Sequence, residues 1–210
     1  MTDKPYLALA RHYERCLEEH GDTCRGVDWP KEQDAATRYA IMLGVMPPER
    51  PATLLDLGCG AGHLLEFIRR EGRAIDYSGL DISAKFIELC RRKFPGVLFH
   101  CADLLADRID LPRFDCVIMN GVFTEKRELS FDEMLAFFRA MVRCAFELAD
   151  VGIGFNVMSK QVDWERSDLF HLPLDELSRF LTAEVSRHFV IRHDYGLYEY
   201  ACYVYRSSRN

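Results

Sequence analysis

The feature that most constrains the fold is a strand, a glycine-rich turn and a helix that follow one another between residues 53 and 71. Residues 53–57 (TLLDL) form an apolar run broken only by Asp56, which predicts a short buried strand. Gly58, Gly60 and Gly62 come next, and residues 63–71 have a helical pattern. This unit opens parallel α/β folds, and its glycines let a ligand approach the backbone closely.

The rest of the chain continues the alternation of strands and helices. Further strands are predicted at residues 77–82, 97–100, 115–120, 152–158, 189–193 and 199–205. Helices are predicted at residues 6–19, 32–45, 83–93, 130–148 and 173–186, with Ser83 as an N-cap and Ser130 and Glu133 as a capping box. The last strand must turn back because only about five residues connect it to the strand before it. The predicted fold is therefore a doubly wound, mostly parallel seven-stranded sheet with an antiparallel last strand and helices on both faces.

The 210 residues, 49% of them hydrophobic, suit one well-cored domain. Pro47 and Pro48 cannot continue the second helix, so we predict an amino-terminal helical lid over residues 1–46 and an α/β domain over residues 47–210. The amino terminus is polar and interrupted by charges, unlike a signal peptide or a membrane span. We expect a cytoplasmic protein with no membrane partner.

Charge and cysteine usage exclude other classes of function. The net charge is −6 and the basic residues are spread along the chain, which argues against a nucleic-acid partner. Eight cysteines and seven histidines occur without any closely spaced ligand pair, so we expect reduced thiols and no metal site. The sequence leaves the oligomeric state open.

The glycine turn differs from a dinucleotide fingerprint, because its spacing is GxGxG and His63 stands where a third glycine would follow in GxGxxG. The run LLDLGCGAGHLLEFI instead resembles the signature of the class I S-adenosylmethionine-dependent methyltransferases. The resemblance extends over about residues 53–158. It implies that the cofactor S-adenosylmethionine lies against the turn, with contacts from Asp56, Gly58, Cys59, Gly60 and Gly62.

The resemblance also assigns cofactor contacts beyond the glycine turn. In GLDIS, Asp81 would accept both ribose hydroxyls and Ile82 would pack on the adenine. In HCADLL, Ala102, Asp103 and Leu104 would surround the adenine amino group. Asn120 would lie beside the methionine moiety, and Gly121 would keep the passage to the acceptor open. The amino-terminal helices are not part of the resemblance, but methyl transfer from a sulfonium benefits from exclusion of water, so we expect Trp29 and Arg38 to contact the cofactor from the lid, which also holds Tyr13.

The acceptor side is less constrained. Because ligands lie at the carboxyl ends of parallel strands, we expect residues 122–126, 159–164 and 193–198 to converge on the acceptor. His193 and Asp163 are candidate general bases, followed by His171, and Trp29 and Trp164 could line an apolar acceptor site. Asn120 is followed by Gly-Val-Phe and not by an NPPY-like run, which argues against methylation of an amino group or a nucleobase nitrogen.

The predicted function is methyl transfer from S-adenosylmethionine to a small-molecule acceptor. Two alternatives stay open: a catalytically silent subunit that binds S-adenosylmethionine, and a nicotinamide-dependent oxidoreductase.

Overall fold

A computed structural model describes residues 4–47 and 51–208, so Pro48 lies outside the described residues. Its strands are β1 (Ala52–Leu57), β2 (Ile75–Asp81), β3 (Leu98–Cys101), β4 (Phe114–Phe123), β5 (Ala149–Met158), β6 (His188–Arg192) and β7 (Glu199–Tyr205). Its α-helices are α1 (Leu7–His20), α2 (Glu32–Met42), α3 (His63–Arg70), α4 (Ala84–Lys93), α5 (Phe131–Leu148) and α6 (Leu174–Glu184). Short 3-10 helices span Cys24–Val27 and Leu43–Val45.

All seven strands form one sheet in the order β3-β2-β1-β4-β5-β7-β6. The first five pair in parallel, whereas β7 lies antiparallel between β5 and β6. The chain reverses direction across the sheet between β1 and β4, the position at which ligands bind in such folds. The predicted seven-stranded fold with its antiparallel last strand is confirmed.

Two hydrophobic clusters cover the two faces of the sheet. Alternate residues of β1 show the division, because Leu55 and Leu57 pack with α5 and α6 while Leu54 packs with α2, α3 and α4. The predicted caps are present: the Ser83 hydroxyl accepts a hydrogen bond from the Phe86 amide, and Ser130 and Glu133 form a capping box. Within residues 4–47 and 51–208, no helix combines the length and the apolar character that crossing a membrane requires.

The two amino-terminal helices have different environments. Helix α2 belongs to the layer that covers the sheet, because Ala35, Tyr39 and Met42 are buried in the cluster with β1 and α3, and the Tyr203 hydroxyl of β7 bonds to the Ile41 carbonyl. Helix α1 buries only Leu9 and His12 and lies over the carboxyl ends of the strands. Helix α1 and the 3-10 helix that follows it thus border the strand ends, while α2 packs in the layer on the sheet, and the division into a lid over residues 1–46 and an α/β domain over residues 47–210 stays a prediction.

Candidate functional site

The glycine turn joins β1 to α3 with backbone conformations that favour glycine. Gly58, Gly60 and Gly62 have φ angles of 80°, 50° and 74°. A Cβ atom on Gly58 would lie 2.5 Å from a methyl carbon of Val122, so this position also needs the absence of a side chain. The Gly58 and Cys59 amides donate to the Leu80 carbonyl at 2.8 and 3.1 Å, which fixes the turn against β2.

A cleft of about 1130 Å³, which we name the first cavity, lies above the turn. Its floor is formed by the ends of β1, β2 and β4 and its roof by α1. It is lined by most of the predicted cofactor contacts: Trp29, Asp56, Gly58, Cys59, Gly60, Asp81, Ile82, Ala102, Asp103, Leu104, Asn120 and Gly121. Gly62 is not among the lining residues, because it faces Phe94 and Cys90 behind the turn.

Asp81 is the most constrained carboxylate in the first cavity. Its Oδ2 accepts a hydrogen bond from the Gly60 amide at 2.9 Å, and its Oδ1 accepts one from the Ser83 amide at 2.8 Å. The residue is 9% exposed, and burial raises the pKa of the carboxyl group against these backbone bonds. A carboxylate offers about four acceptor positions, so acceptor capacity remains on both oxygens for a ligand.

Asp56 lies beneath the turn, and no cation of residues 4–47 or 51–208 pairs with it. Its Oδ2 accepts a hydrogen bond from the Tyr77 hydroxyl at 2.7 Å. Burial, with a smaller contribution from the charge of Asp81, raises the pKa of Asp56 to about 7. Desolvation outweighs the hydrogen bond, so the charged form of Asp56 is disfavoured near neutral pH.

Polar contacts hold the roof of the first cavity. Asp103 accepts hydrogen bonds from the Lys4 ammonium and the Tyr6 hydroxyl, both at 2.9 Å, just before and at the start of α1. Glu14, farther along α1, accepts one from the Ser83 hydroxyl at 2.6 Å. Asp103, predicted to face the adenine, therefore also anchors the roof.

The end of β4 contains a buried polar atom without a partner. Asn120 Oδ1 makes no hydrogen bond to any residue that the structure describes. Its neighbour Gly121 donates its amide to Asn156 Oδ1 at 2.7 Å, and the Tyr13 hydroxyl donates to the Gly121 carbonyl at 3.4 Å. A Cβ atom on Gly121 would lie 2.9 Å from the Trp29 ring. An unmet acceptor of this kind costs about 1–3 kcal/mol, which fits a site that awaits a donor.

A second cleft, of about 1310 Å³, shares Tyr13 and Trp29 with the first; we name it the second cavity. Segments far apart in the sequence line it: Tyr13, Asp28, Trp29, Pro30, Lys31, Asp34, Arg38, Thr124, Glu125, Met158, Val162, Asp163, Trp164, Arg166, Leu169, His171, Gly196, Leu197, Tyr198 and Glu199. Burial of the Tyr13 hydroxyl raises its pKa, so Tyr13 remains a hydrogen-bond donor in the wall between the cavities.

A buried ion pair supports the second cavity. Arg38 Nε lies 2.8 Å from Glu199 Oε2, and Glu199 is 1% exposed. The Asn156 amide donates to Glu199 Oε1 at 2.9 Å, and the Arg38 guanidinium lies 5.0 Å from the centre of the Trp29 ring. Arg38 was predicted to contact the cofactor, but the structure places it in the second cavity, because Glu199 at the start of β7 holds it there.

The candidate bases have different positions. Asp163 lies in the second cavity and accepts a hydrogen bond from the Tyr198 hydroxyl at 2.9 Å, near Trp164, which is 72% exposed. His171 also lines this cavity, but Nδ1 lies 2.6 Å from the Ser159 carbonyl and Nε2 accepts from the Arg166 amide at 3.3 Å, so both nitrogens are engaged.

His193 lines neither cavity. It is exposed, and its ring packs edge-on against Tyr200 at 6.2 Å. The physical reason is that β6 is the outermost strand, beyond β7, and the connection between them enters the lining of the second cavity only from Gly196 onwards. This position does not support the predicted role of His193 as a general base.

The polar residues of the site that were not predicted by name include Asn156, Glu199 and Glu125, the last of which lies in the predicted acceptor segment 122–126. Asn156 interrupts the apolar strand β5, and this interruption was the signal available in the sequence. Glu125 is largely buried beside Arg127, and burial followed by the nearby charge of Asp28 raises its pKa.

One group of side chains resembles a ligand set for a metal ion. The ligand atoms of His12, Cys16 and Asp28 lie within 4.8 Å of one another. His12 Nε2 lies 2.6 Å from Asp28 Oδ2, a contact that already joins α1 to the residue after the 3-10 helix. The expectation of no metal site stays a prediction.

Comparisons with known proteins agree with this geometry. Residues 54–146 match a family model described as a methyltransferase domain. A Mycobacterium tuberculosis protein described as a methyltransferase is 28% identical over 160 residues, 75% of this chain and 95% of that protein. Trans-aconitate 2-methyltransferase of Rhizobium etli is 35% identical over 96 residues, 45% of this chain and only 37% of that enzyme.

The fold has close solved counterparts. Magnesium protoporphyrin IX methyltransferase from Synechocystis PCC 6803, solved with bound S-adenosylmethionine, superimposes with a TM-score of 0.63. The identity is 18%, and the match covers 99% of each chain. These findings place residues 54–146 in a family of methyltransferase domains, and they show that the chain has the fold of a methyltransferase solved with S-adenosylmethionine.

Proposed function

We propose that the first cavity binds S-adenosylmethionine and that a small molecule in the second cavity accepts the methyl group. The observation that carries this proposal is the shared wall, because Tyr13 and Trp29 line both cavities. A donor and an acceptor bound on its two sides would meet there. The names of two related enzymes support a small acceptor, since they act on trans-aconitate and on magnesium protoporphyrin IX.

Asp81 would bind the ribose in this arrangement. Its two oxygens each hold one backbone amide and keep room for a hydroxyl donor. Ile82, Ala102 and Leu104 would pack around the adenine, while Asp56 and the turn glycines would lie below the methionine end. Asn120 Oδ1, which lacks a partner among the described residues, suits the ammonium of the methionine moiety.

S-adenosylmethionine, when bound, supplies a methyl group on a sulfonium, which is already a good electrophile. The protein therefore contributes mainly by positioning the acceptor and by excluding water. The contacts of Lys4, Tyr6 and Glu14 hold α1 over the first cavity and would thereby help to exclude water. An acceptor that arrives protonated needs a base, and Glu125 and Asp163 are the carboxylates in the second cavity that could take the proton.

Calorimetric titration with S-adenosylmethionine and, separately, with NAD tests the cofactor assignment. We expect binding of S-adenosylmethionine only. Gly60→Val serves as the binding-deficient control, because valine tolerates a φ of 50° poorly at a turn that faces the cavity. Tight binding of NAD without a response to S-adenosylmethionine would contradict the proposal.

A screen of small acceptors, scored by release of S-adenosylhomocysteine, tests turnover. Release with at least one acceptor, and none from Gly60→Val, is the expected result. Cofactor binding without turnover on any acceptor of a broad screen would favour the alternative of a silent binding subunit. The cytoplasmic location and the lack of a nucleic-acid partner stay predictions from the composition of the chain.

A further inference from the structure

The charges that line the second cavity are unbalanced. Its carboxylates are Asp28, Asp34, Glu125, Asp163 and Glu199. Its cationic side chains are Lys31, Arg38 and Arg166. Five negative and three positive groups leave a net charge of −2 on the lining.

The positive groups are largely committed to protein partners. Arg38 is paired with the buried Glu199 at 2.8 Å. Arg166 donates to both carboxylate oxygens of Asp168, at 3.1 and 2.5 Å. Lys31 is exposed, so its charge is screened by water. Among the described residues of the lining, an anionic ligand would therefore find only one cation that is not already paired, and that one is at the surface.

Two carboxylates, by contrast, keep full capacity for a cation. The Asp34 carboxylate has no hydrogen bond or ion pair to any other residue in the described part of the chain. The Asp163 carboxylate has only a neutral partner there, the Tyr198 hydroxyl. Glu125 is already paired with Arg127 at 3.3 Å, and burial followed by the nearby negative charge of Asp28 raises the pKa of its carboxyl group.

Aromatic rings complete the lining. Trp29, Trp164 and Tyr198 all border the second cavity, and the last two are exposed at its rim. Aromatic faces attract organic cations and pack against apolar ligands. Unpaired carboxylates beside aromatic rings are a combination suited to an amine with an apolar body.

We infer that the second cavity selects an acceptor that carries a cationic amine, and that it discriminates against polycarboxylates. This inference rests on the proposed function of the second cavity as the acceptor site. It separates this chain from the relatives named for trans-aconitate, whose match covers under half of the chain. The absence of an NPPY-like run argues against methylation of a planar amino group. The carboxylates of the second cavity would instead bind a protonated amine of the acceptor, whichever atom of the acceptor receives the methyl group.

The two tryptophans of the chain, Trp29 and Trp164, both line the second cavity, so intrinsic fluorescence reports its occupancy. We would titrate the protein, saturated with S-adenosylhomocysteine, with 2-phenylethylamine and with 3-phenylpropionate, which share a ring and differ in charge. Calorimetry of the same titrations gives an independent Kd. We expect the amine to bind at least about tenfold more tightly than the carboxylate, with trans-aconitate the weakest of the three.

Charge-removing variants show whether the cavity is responsible. Asp34→Asn and Glu125→Gln should each reduce the preference for the amine by about threefold, and raised salt should reduce it further. Asp110→Asn removes the same charge at an exposed position outside both cavities and should leave the preference unchanged. The Asp34 side chain makes no hydrogen bond or ion pair among the described residues, so Asp34→Asn should fold even where Glu125→Gln does not.

Equal affinity for the two probes, preference for the carboxylate, or no binding of the amine would overturn the inference. A preference that Asp34→Asn and Glu125→Gln leave untouched would overturn it as well. Failure to bind S-adenosylhomocysteine in the first place would instead count against the proposed function.

Discussion

The two cavities are built in different ways. The first takes most of its polar groups from strand ends and from one glycine turn, between Asp56 and Asn120, and adds Tyr6, Tyr13, Trp29 and Tyr39 from the amino-terminal segment. The second is assembled from side chains of segments spread from residue 13 to residue 199, and its central ion pair joins positions 161 residues apart. A cavity made by the topology of a sheet can be found from local sequence, whereas one made by distant side chains needs the folded chain.

Removal of Arg38 should have the largest effect and should separate the cavities. Arg38→Ala leaves the buried Glu199 without its cation, so we expect a loss of about 3–5 kcal/mol in the free energy of unfolding. Urea denaturation measures this loss. Affinity for S-adenosylmethionine, measured under conditions where the variant is folded, should stay close to that of the wild type.

The control for Arg38→Ala is the double variant Arg38→Met, Glu199→Gln, which removes both charges and should recover much of the stability. A fall in cofactor affinity as large as that expected for Asp81→Ala would show that the two cavities are not separate. It would also support the prediction from the sequence that Arg38 contacts the cofactor.

Asp81→Ala should have the next largest effect, a loss of affinity for S-adenosylmethionine in the first cavity. Charge-assisted hydrogen bonds to two ribose hydroxyls are each worth about 1.5–3 kcal/mol, and desolvation offsets part of this. We expect a loss of about 2–4 kcal/mol, or roughly thirty-fold to a thousand-fold in affinity for S-adenosylmethionine, with Asp81→Asn in between. Calorimetric titration measures both variants. Unchanged affinity in Asp81→Ala would remove the ribose anchor.

The buried carboxylates Asp56 and Glu199 offer a sharper contrast, because among the residues that the structure describes Glu199 has a cation beside it and Asp56 has none. The folded-state pKa of Asp56, about 7, lies above its ordinary value of 3.8, so the folded protein holds this proton more tightly than the unfolded chain. The contribution of Asp56 to stability therefore falls as pH rises from about 4 to 7. Asp56→Asn abolishes this dependence.

Relative to the wild type, Asp56→Asn should gain about 2–3 kcal/mol of stability between pH 5 and pH 8. Denaturant unfolding at both pH values, in the absence of cofactor, gives the difference. Parallel stability curves for the two proteins would show that the Asp56 carboxyl group titrates as it does in water.

The smallest effect is expected at His193. Because its ring lies outside both cavities, His193→Ala should change affinity for S-adenosylmethionine and for 2-phenylethylamine by less than about 0.5 kcal/mol. Turnover with any acceptor found in the screen should be equally insensitive. A large fall in turnover would mean that β6 approaches the acceptor during the reaction, and would restore the base predicted from sequence.

Much of the fold could be predicted because its signals are local. The apolar runs located all seven strands, and the short connection before residue 199 required the antiparallel last strand. Strand β4 continues to Phe123, three residues beyond its predicted end, through the glycine at 121. The sequence could not reveal which surface an apolar helix face would meet, so α2 was assigned to the lid although Tyr39 and Met42 pack against the sheet domain.

The same limit applies to the site. The glycine turn and the family resemblance that it carries located the residues of the first cavity, since they lie at neighbouring strand ends. Nothing local connects Arg38 with Glu199, so Arg38 was predicted among the cofactor contacts and Glu199 was not predicted. The position of His193 depends on β7 being inserted between β5 and β6, which is a property of strand order and not of any segment.

The ion pair between Arg38 and Glu199 also bears on how the protein matures during synthesis. While a nascent chain is still emerging, β1 to β4 can pair and form the glycine turn, but Arg38 has no Glu199 to receive its charge. Arg38 must therefore wait for β7 to emerge, whereas the segment around α1 already finds Ser83 and Asp103. The second cavity is thus completed only after β7 has been synthesised, so a product truncated before β7 would keep the first cavity without the second.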